Sequence, residues 1–324
     1  MAQSTTAEGQ EKAIPRSVAP RRSRRIRKTV GKLLPYVAIL PAVITFLVLL
    51  GYPVLLVIET SLQHFGLREL INGGQTWVGL DNFRTILSDP EFIAIVVRTF
   101  LFMAANVALT VGLGTLVAVL IDRVDKPVRL LLSVTMILAW ATPAITGSVI
   151  FQWLFDSKLG VVNWAISNLG IFGDWLNHSW FDTGLSTFAI ITMLIVWQSI
   201  PFVAFSLYAG ILTISNDMIE AARVDGASER QIFWHITLPS IRPLLMVLTF
   251  LSVIWDFKVF TQIYTMLQGG PDGQTVTLSI DAYIKGLSQR QFGIAAAVSV
   301  VMILLLLFVL VPYIRRMTRT QVEE

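Results

Sequence analysis

Residues 215–239 read SNDMIEAARVDGASERQIFWHITLP and lie between two long apolar segments. The opening serine or asparagine suits the N-cap of a short helix, and the acids of the first turn are favoured by the helix dipole. Gly226 fits a left-handed residue at the end of that helix. We predict a second short helix, about 229–236, that stops before Pro239. Two short helices joined by a glycine form a compact knob, although a solvated connecting loop would have a similar sequence.

The segments around this knob are long and apolar enough to cross a membrane. A bilayer core about 30 Å thick needs about 20 mostly apolar residues in a helix. Six segments meet or nearly meet this length, at residues 36–58, 100–121, 130–155, 185–214, 243–267 and 293–313. Of the 324 residues, 54% are apolar and 14% are charged, which excludes an ordinary soluble protein. The sequence therefore predicts an all-α membrane protein with six transmembrane helices.

Positive charge is concentrated at the start of the chain. Residues 1–35 carry a net charge of +7, whereas the remaining chain carries −3. A basic cluster beside an apolar run is typical of a cytoplasmic topology signal attracted to anionic lipid, which disfavours nucleic-acid binding. We predict a disordered basic tail over 1–32, a membrane domain over 33–316 and a cytoplasmic C-terminus over 317–324.

The loops differ in their content of Lys and Arg. The side that holds both termini and the loop 215–240 has 18 of these residues, and the opposite side has five. The positive-inside rule therefore predicts that both termini and this loop are cytoplasmic. On the opposite side, residues 160–176 and 275–287 are amphipathic, and we expect them at the membrane interface.

Residues for catalysis or nucleotide binding are missing from the sequence. There is no G-x-x-x-x-G-K-[ST] phosphate loop and no cysteine, and the three histidines fall in separate loops. We expect no catalytic residue, no metal site and no cofactor in this chain. Energy for uphill transport would then enter from another subunit or from an ion gradient.

The fifth span contains two charges, Asp256 and Lys258, beside Trp255. A charged side chain near the bilayer centre costs about 2.5–3.5 kcal/mol on insertion scales, so it normally faces a cavity or a partner. On one continuous helix, Trp255, Lys258 and Gln262 share a face, and Asp256 points away from Lys258. All four residues are substrate-path candidates, with bonds to neighbouring helices as the alternative explanation.

The fourth span offers Trp197, Gln198 and Ser199 just before Pro201, and Phe202 just after it. Proline removes a backbone hydrogen bond, which leaves polar backbone groups to be met by a cavity or by neighbouring side chains. An aromatic ring beside amide and hydroxyl groups suits a sugar, whose C–H faces pack on rings while its hydroxyls form hydrogen bonds. These four residues are further substrate-path candidates, with simple helix packing as the alternative.

The run Glu220-Ala221-Ala222, followed by Gly226 and Ile236-x-Leu238-Pro239, resembles the EAA signature of permease subunits of binding-protein-dependent ABC importers. Asp225-Gly226-Ala227 with Phe233 resembles the carbohydrate-uptake branch, the maltose and glycerol-phosphate type permeases. GLDNF at 79–83 and GGP at 269–271 are further matches. The resemblance covers about residues 33–316.

The resemblance implies a non-catalytic permease subunit with the type I importer fold in a bacterial plasma membrane. The implied partners are a second EAA-type permease, a dimer of ABC ATPases that binds ATP and Mg²⁺, and an extracytoplasmic sugar-binding protein. The loop would form coupling helices that dock on the ATPase through Glu220, Ala221, Ala222, Asp225, Gly226, Leu238 and Pro239.

The implied cargo is a small carbohydrate, a di- or oligosaccharide. By alignment with maltose-type permeases, the candidates of the fourth and fifth spans fall where sugar ligands lie. A secondary transporter that couples ions through Asp256 or Lys258 is the alternative, and the EAA loop disfavours it.

Overall fold

The structure is a computed structural model that describes residues 36–170 and 173–322. The predicted basic tail over 1–32 lies outside these residues. The chain divides into two units, residues 1–56 and 57–324. In the first unit, the described residues 36–56 form the beginning of the first long helix, which contains a π-helical turn at Leu47–Gly51.

The described residues are mainly helical. The helices, in chain order, are α1 (Tyr36–Ser61), α2 (Leu67–Asn72), α3 (Asp81–Leu87), α4 (Pro90–Arg123), α5 (Lys126–Ala141), α6 (Ala144–Leu154), α7 (Val161–Leu169), α8 (Gly184–Ile211), α9 (Asn216–Val224), α10 (Glu229–Ile232), α11 (Leu238–Phe257), α12 (Thr261–Leu267), α13 (Leu278–Tyr283) and α14 (Phe292–Val322). A short antiparallel pair of strands, β1 (Gln63–His64) and β2 (Thr76–Trp77), lies between α1 and α3.

Five helices or helix runs of the described chain are long and apolar enough to cross a membrane, and a bent pair of helices gives a sixth span if it is counted as one. The five are Tyr36–Ser61, Pro90–Arg123, Gly184–Ile211, Glu229–Leu267 and Phe292–Met317. The sequence prediction of six spans therefore depends on the bent pair.

The third predicted span, 130–155, is not one straight helix. α5 and α6 meet at Thr142–Pro143 and are bent by 103°. Proline restricts the residue before it to extended backbone, and Thr142 has ψ 121°. The proline therefore breaks the span into two helices.

The core of the second unit is built around α4, which packs against both α8 and α11. One apolar cluster near the end that carries the loop 215–240 includes Ala118 of α4, Val203 and Leu207 of α8, and Leu248 of α11. A larger cluster fills the other end, where Phe92 and Phe102 of α4 are buried.

Hydrogen bonds between residues far apart in the sequence join the segments at that other end. Arg98 of α4 donates to the carbonyl oxygens of Gly273 and Val276, both at 3.0 Å. Gln274 accepts a hydrogen bond from the Gly184 N–H, the first residue of α8, at 2.7 Å. The turn that follows GGP is therefore tied to α4 and α8.

We expect Gly114→Ala to destabilise the folded chain. A methyl group at Gly114 would lie 2.6 Å from Val203 Cγ1 and 2.8 Å from Val203 Cβ, where α4 and α8 cross. Overpacking of this kind costs about 1–3 kcal/mol. Thermal unfolding of the purified protein in detergent should show a lower Tm.

Gly112→Ala is the matched control, because nothing lies within 4 Å of a methyl group at that position on the same helix. It should keep or raise the Tm, since alanine is the better helix former. An unchanged Tm for Gly114→Ala would contradict the close packing of α4 on α8.

Candidate coupling loop and translocation path

The first helix of the loop, α9, ends at a glycine. Ser215 is its N-cap residue, but the serine side chain makes no capping hydrogen bond. Gly226 has φ +84°. The Ala227 N–H donates to the Ala222 carbonyl at 2.9 Å, and the Gly226 N–H donates to the Arg223 carbonyl at 3.1 Å. These bonds form a Schellman motif, which confirms the predicted left-handed glycine.

The second helix, α10, begins with a capping box. The Ser228 Oγ accepts from the Gln231 N–H at 3.4 Å, and the Ser228 N–H donates to Gln231 Oε1 at 2.8 Å. The prediction that this helix stops before Pro239 is wrong. The helix passes through a π-helical turn, Phe233–Thr237, directly into α11. Pro239 lies just after the π-helical turn, at the second residue of α11.

The seven predicted coupling residues lie in or beside the knob formed by α9 and α10. Most of them are exposed, Ala222 and Leu238 are half-buried, and the set is Glu220, Ala221, Ala222, Asp225, Gly226, Leu238 and Pro239. Sequence analysis did not single out two apolar neighbours, Val224, which is 87% exposed, and Met218, which is 52% exposed. Charged and apolar groups thus share the outer surface of the knob.

Glu229 joins the knob to α4. Its carboxylate oxygens lie 3.0 Å from Arg223 Nε of α9 and 3.2 Å from Arg123 Nη2, at the last residue of α4. Exposed ion pairs contribute about 0–1 kcal/mol each, so their main effect is on position. Glu229 was not among the predicted coupling residues, because its partner Arg123 lies 106 residues away in the chain.

Aromatic side chains of the fourth and fifth spans contact each other. The rings of Phe202 and Trp255 lie 5.2 Å apart at an angle of 63°. Trp197 lies 5.8 Å from the ring of Phe151, on α6. Trp197 is 40% exposed and Trp255 is 43% exposed, so both rings present a free surface.

Amide side chains of α8 and α12 also meet. Gln198 Nε2 donates to the Thr142 carbonyl at 3.0 Å, and Gln262 Nε2 donates to Gln198 Oε1 at 3.5 Å. Ser199 is half-buried in the same turn of α8. The structure therefore brings Gln198 and Gln262 together, although they belong to different helices.

The predicted common face of Trp255, Lys258 and Gln262 is wrong, because α11 and α12 are not one helix. α11 ends at Phe257, Lys258 is its C-cap, and α12 begins at Thr261. Lys258 is exposed, whereas Asp256 is 5% exposed. No hydrogen bond or ion pair from the described residues reaches the Asp256 carboxylate.

Two grooves open near these residues. One, of about 480 Å³, is lined by α5 and α8 through Ile137, Trp140, Pro201, Phe202, Phe205 and Ser206. A larger one, of about 1260 Å³, lies along α4 and α8 and reaches Trp197. Trp140 lines the same groove as Phe202. It was not among the predicted path residues, because no sequence pattern relates the third span to the fourth. Within residues 36–170 and 173–322, no cluster of three or more His, Asp or Glu side chains could hold a metal ion.

Comparison with known proteins identifies the family of this chain. Residues 110–320 match the family described as "Binding-protein-dependent transport system inner membrane component". The chain belongs to this family. The matched range includes the whole of the knob, so the prediction made from the EAA run is confirmed.

The permease also resembles individual proteins over most of its length. It is 39% identical to the diacetylchitobiose uptake system permease protein DasB of Streptomyces coelicolor, over 93% of this chain and 91% of DasB. It is 32% identical to the trehalose/maltose transport system permease protein MalF of Thermococcus litoralis, over 87% of this chain and 92% of that protein.

A solved structure supports the fold. A chain from a bacterial ABC transporter involved in the import of alginate matches with a TM-score of 0.76 at 22% identity, over 91% of this chain and 99% of that one. The predicted importer permease fold and multi-pass inner-membrane location are thus confirmed. The relatives named here are permeases of uptake or transport systems, which favours the importer over the secondary transporter.

We expect Gly226→Ala to loosen the end of α9. A left-handed conformation costs about 1–2 kcal/mol for a residue with a Cβ. Hydrogen exchange measured by mass spectrometry should become faster in peptides that cover residues 216–232. Gly226→Asn is the matched control, since asparagine adopts this conformation more readily. Equal protection in wild type and Gly226→Ala would contradict the Schellman geometry.

Proposed function

We propose that this permease is the membrane-spanning subunit of an ATP-driven importer for a small carbohydrate, and that the cargo is an N-acetylated disaccharide of the diacetylchitobiose type. The observation that carries the carbohydrate path is that the exposed rings of Trp197 and Trp255 lie on the same two spans as the Gln198–Gln262 pair. An acetamido sugar has apolar C–H faces for the rings, and its amides and hydroxyls suit polar groups. Similarity to DasB, whose name specifies diacetylchitobiose, supports this choice.

The proposed transporter includes partner proteins for sugar delivery, for completion of the membrane pathway and for ATP hydrolysis. A binding protein on the outer side delivers the sugar, a second EAA-type permease completes the membrane pathway, and a dimer of ABC ATPases binds and hydrolyses ATP. The excess of Lys and Arg on the side of the knob supports a cytoplasmic position for the knob and both termini.

The knob is the proposed contact with the ATPase. Val224 and Met218 offer exposed apolar surface, and Glu220 on the same helix offers a charge for a basic or hydrogen-bonding group. Since α10 continues into α11 as helix, a displacement of the knob moves the fifth span directly. The ion pair between Glu229 and Arg123 transmits the same displacement to α4.

The substrate path would run along the aromatic and amide groups of α8, α11 and α12. Lys258 is exposed and is available to donate hydrogen bonds to sugar hydroxyls. Asp256 is enclosed in this conformation, so it would meet the sugar only after the surrounding helices separate. Trp140 lines the groove beside Phe202 and adds a third aromatic surface.

We expect Glu220→Lys to abolish sugar-stimulated ATP hydrolysis and uptake while the permease still inserts into the membrane. Reversing the charge on the exposed face of α9 would repel a basic group on the ATPase. The measurements are ATPase activity of the reconstituted transporter and immunoblotting of membranes.

Asp125→Lys is the control for this change, because it makes the same charge reversal in the neighbouring loop between α4 and α5. It should retain activity. Normal sugar-stimulated ATP hydrolysis in assembled Glu220→Lys transporter would rule out the proposed coupling surface.

Cells that carry the complete transporter should take up radiolabelled diacetylchitobiose. Trp255→Ala and Trp197→Ala are each expected to raise the half-saturation concentration for uptake by about tenfold, since an aromatic stacking contact is worth about 0.5–1.5 kcal/mol beyond area burial. Initial uptake rates over a range of sugar concentrations give this value.

Trp153→Ala is the matched control, because Trp153 is an exposed tryptophan of α6 outside both grooves. It should leave the half-saturation concentration unchanged. No uptake by the wild type would reject this sugar, and unchanged kinetics in both path variants would reject the path.

A further inference from the structure

Two membrane spans are broken near the candidate path, and a third contains a proline within a continuous helix. The third span breaks at Thr142–Pro143. The fourth span, α8, has Pro201 in its interior. The fifth span is interrupted between Phe257 and Thr261.

Gln198 touches both breaks and lies about one turn before the proline of α8. Its Nε2 donates to the Thr142 carbonyl at 3.0 Å, immediately before the proline of the first break. Its Oε1 accepts from Gln262 Nε2 at 3.5 Å, in the first turn of the helix after the fifth-span break. On its own helix it precedes Pro201 by three residues. One side chain of α8 therefore connects the two breaks.

The bond to Thr142 has a physical cause. Thr142 lies outside both α5 and α6, and the α6 helix begins after Pro143, so the Thr142 carbonyl is set apart from the regular helical bonds. An unpaired carbonyl is costly within a membrane, where water is not available. The Gln198 amide supplies the donor.

The packing around Gln198 holds its amide in place. A methyl group at Gly147, on α6, would lie 2.9 Å from Gln198 Nε2 and 3.1 Å from Leu194 Cδ1. α6 therefore approaches α8 closely at this point, and the glutamine amide occupies space that a side chain at position 147 would enter. The side chain is half-buried, and both ends of its amide are engaged.

We propose that Gln198 is a positioning residue that links the two helix breaks, so that they change geometry together during transport. This inference rests on the proposed function and refines it, because Gln198 then acts on the path through the backbone. A residue that bound the sugar directly would present a free amide, whereas both amide groups of Gln198 are used within the protein.

The first test is hydrogen exchange by mass spectrometry on the assembled transporter in lipid nanodiscs, with no sugar present. Gln198→Leu should raise exchange about fivefold in peptides covering 139–147 and in those covering 256–263, since each loses a hydrogen bond that holds the break. Gln262→Leu should raise exchange only in the second segment. Ser199→Ala, a neighbour for which no side-chain hydrogen bond is found within the described chain, should change neither.

The second test is the kinetics of diacetylchitobiose uptake. Gln198→Leu should lower the maximal rate about tenfold and leave the half-saturation concentration within about threefold of wild type, because it disturbs the movement and not the sugar contact. A raised half-saturation concentration with an unchanged maximal rate would identify Gln198 as a sugar contact and overturn the inference.

Wild-type exchange rates in both segments of Gln198→Leu would also overturn it. The exchange experiment needs no sugar, so it decides the role of Gln198 even if the wild-type transporter does not take up diacetylchitobiose. Failure of the proposed function and failure of this inference are therefore distinguishable.

Discussion

A backbone carbonyl within a bilayer must find its donor in the protein, and this requirement constrains the centre of the permease. Long helices satisfy it without help from neighbours. Where a helix is broken, as at Pro143, another element must supply the missing bond, and Gln198 of α8 does so for Thr142. The breaks can persist because the helices around them are close enough to provide donors.

The same constraint explains why polar side chains are found where the helices are broken or contain proline. Trp197 and Gln198 come just before Pro201, and Gln262 comes just after the interruption of the fifth span. Regular apolar helix offers a sugar few hydrogen-bonding groups. Broken helices bring amides, carbonyls and exposed rings to one region, which suits a polar cargo that must cross an apolar layer.

The knob is held to the membrane helices by two different kinds of connection. One is covalent and rigid, since α10 runs through a π-helical turn into α11. The other is electrostatic and exposed, since Glu229 pairs with Arg123 at the end of α4. The exposed ion pair contributes about 0–1 kcal/mol, so the continuous helix is the stronger of the two connections.

Much of this architecture follows from local patterns in the sequence. The apolar lengths predicted the spans, and Gly226 predicted the end of α9, because both depend on residues close together in the chain. The break at Lys258 had no such signal, since neither glycine nor proline occurs from Trp255 to Phe260. The prediction that Trp255, Lys258 and Gln262 share one helix face was wrong for this reason.

The sequence by itself determined the membrane class, the knob and its family, since length, composition and a local motif are sufficient for these. Only the tertiary structure decided which distant residues meet. Gln198 with Thr142, and Glu229 with Arg123, are pairs from different helices. It also decided that Asp256 is enclosed while Trp255 beside it is exposed. The physical reason is that the packing of several helices sets these contacts and exposures, and no single helix carries that information.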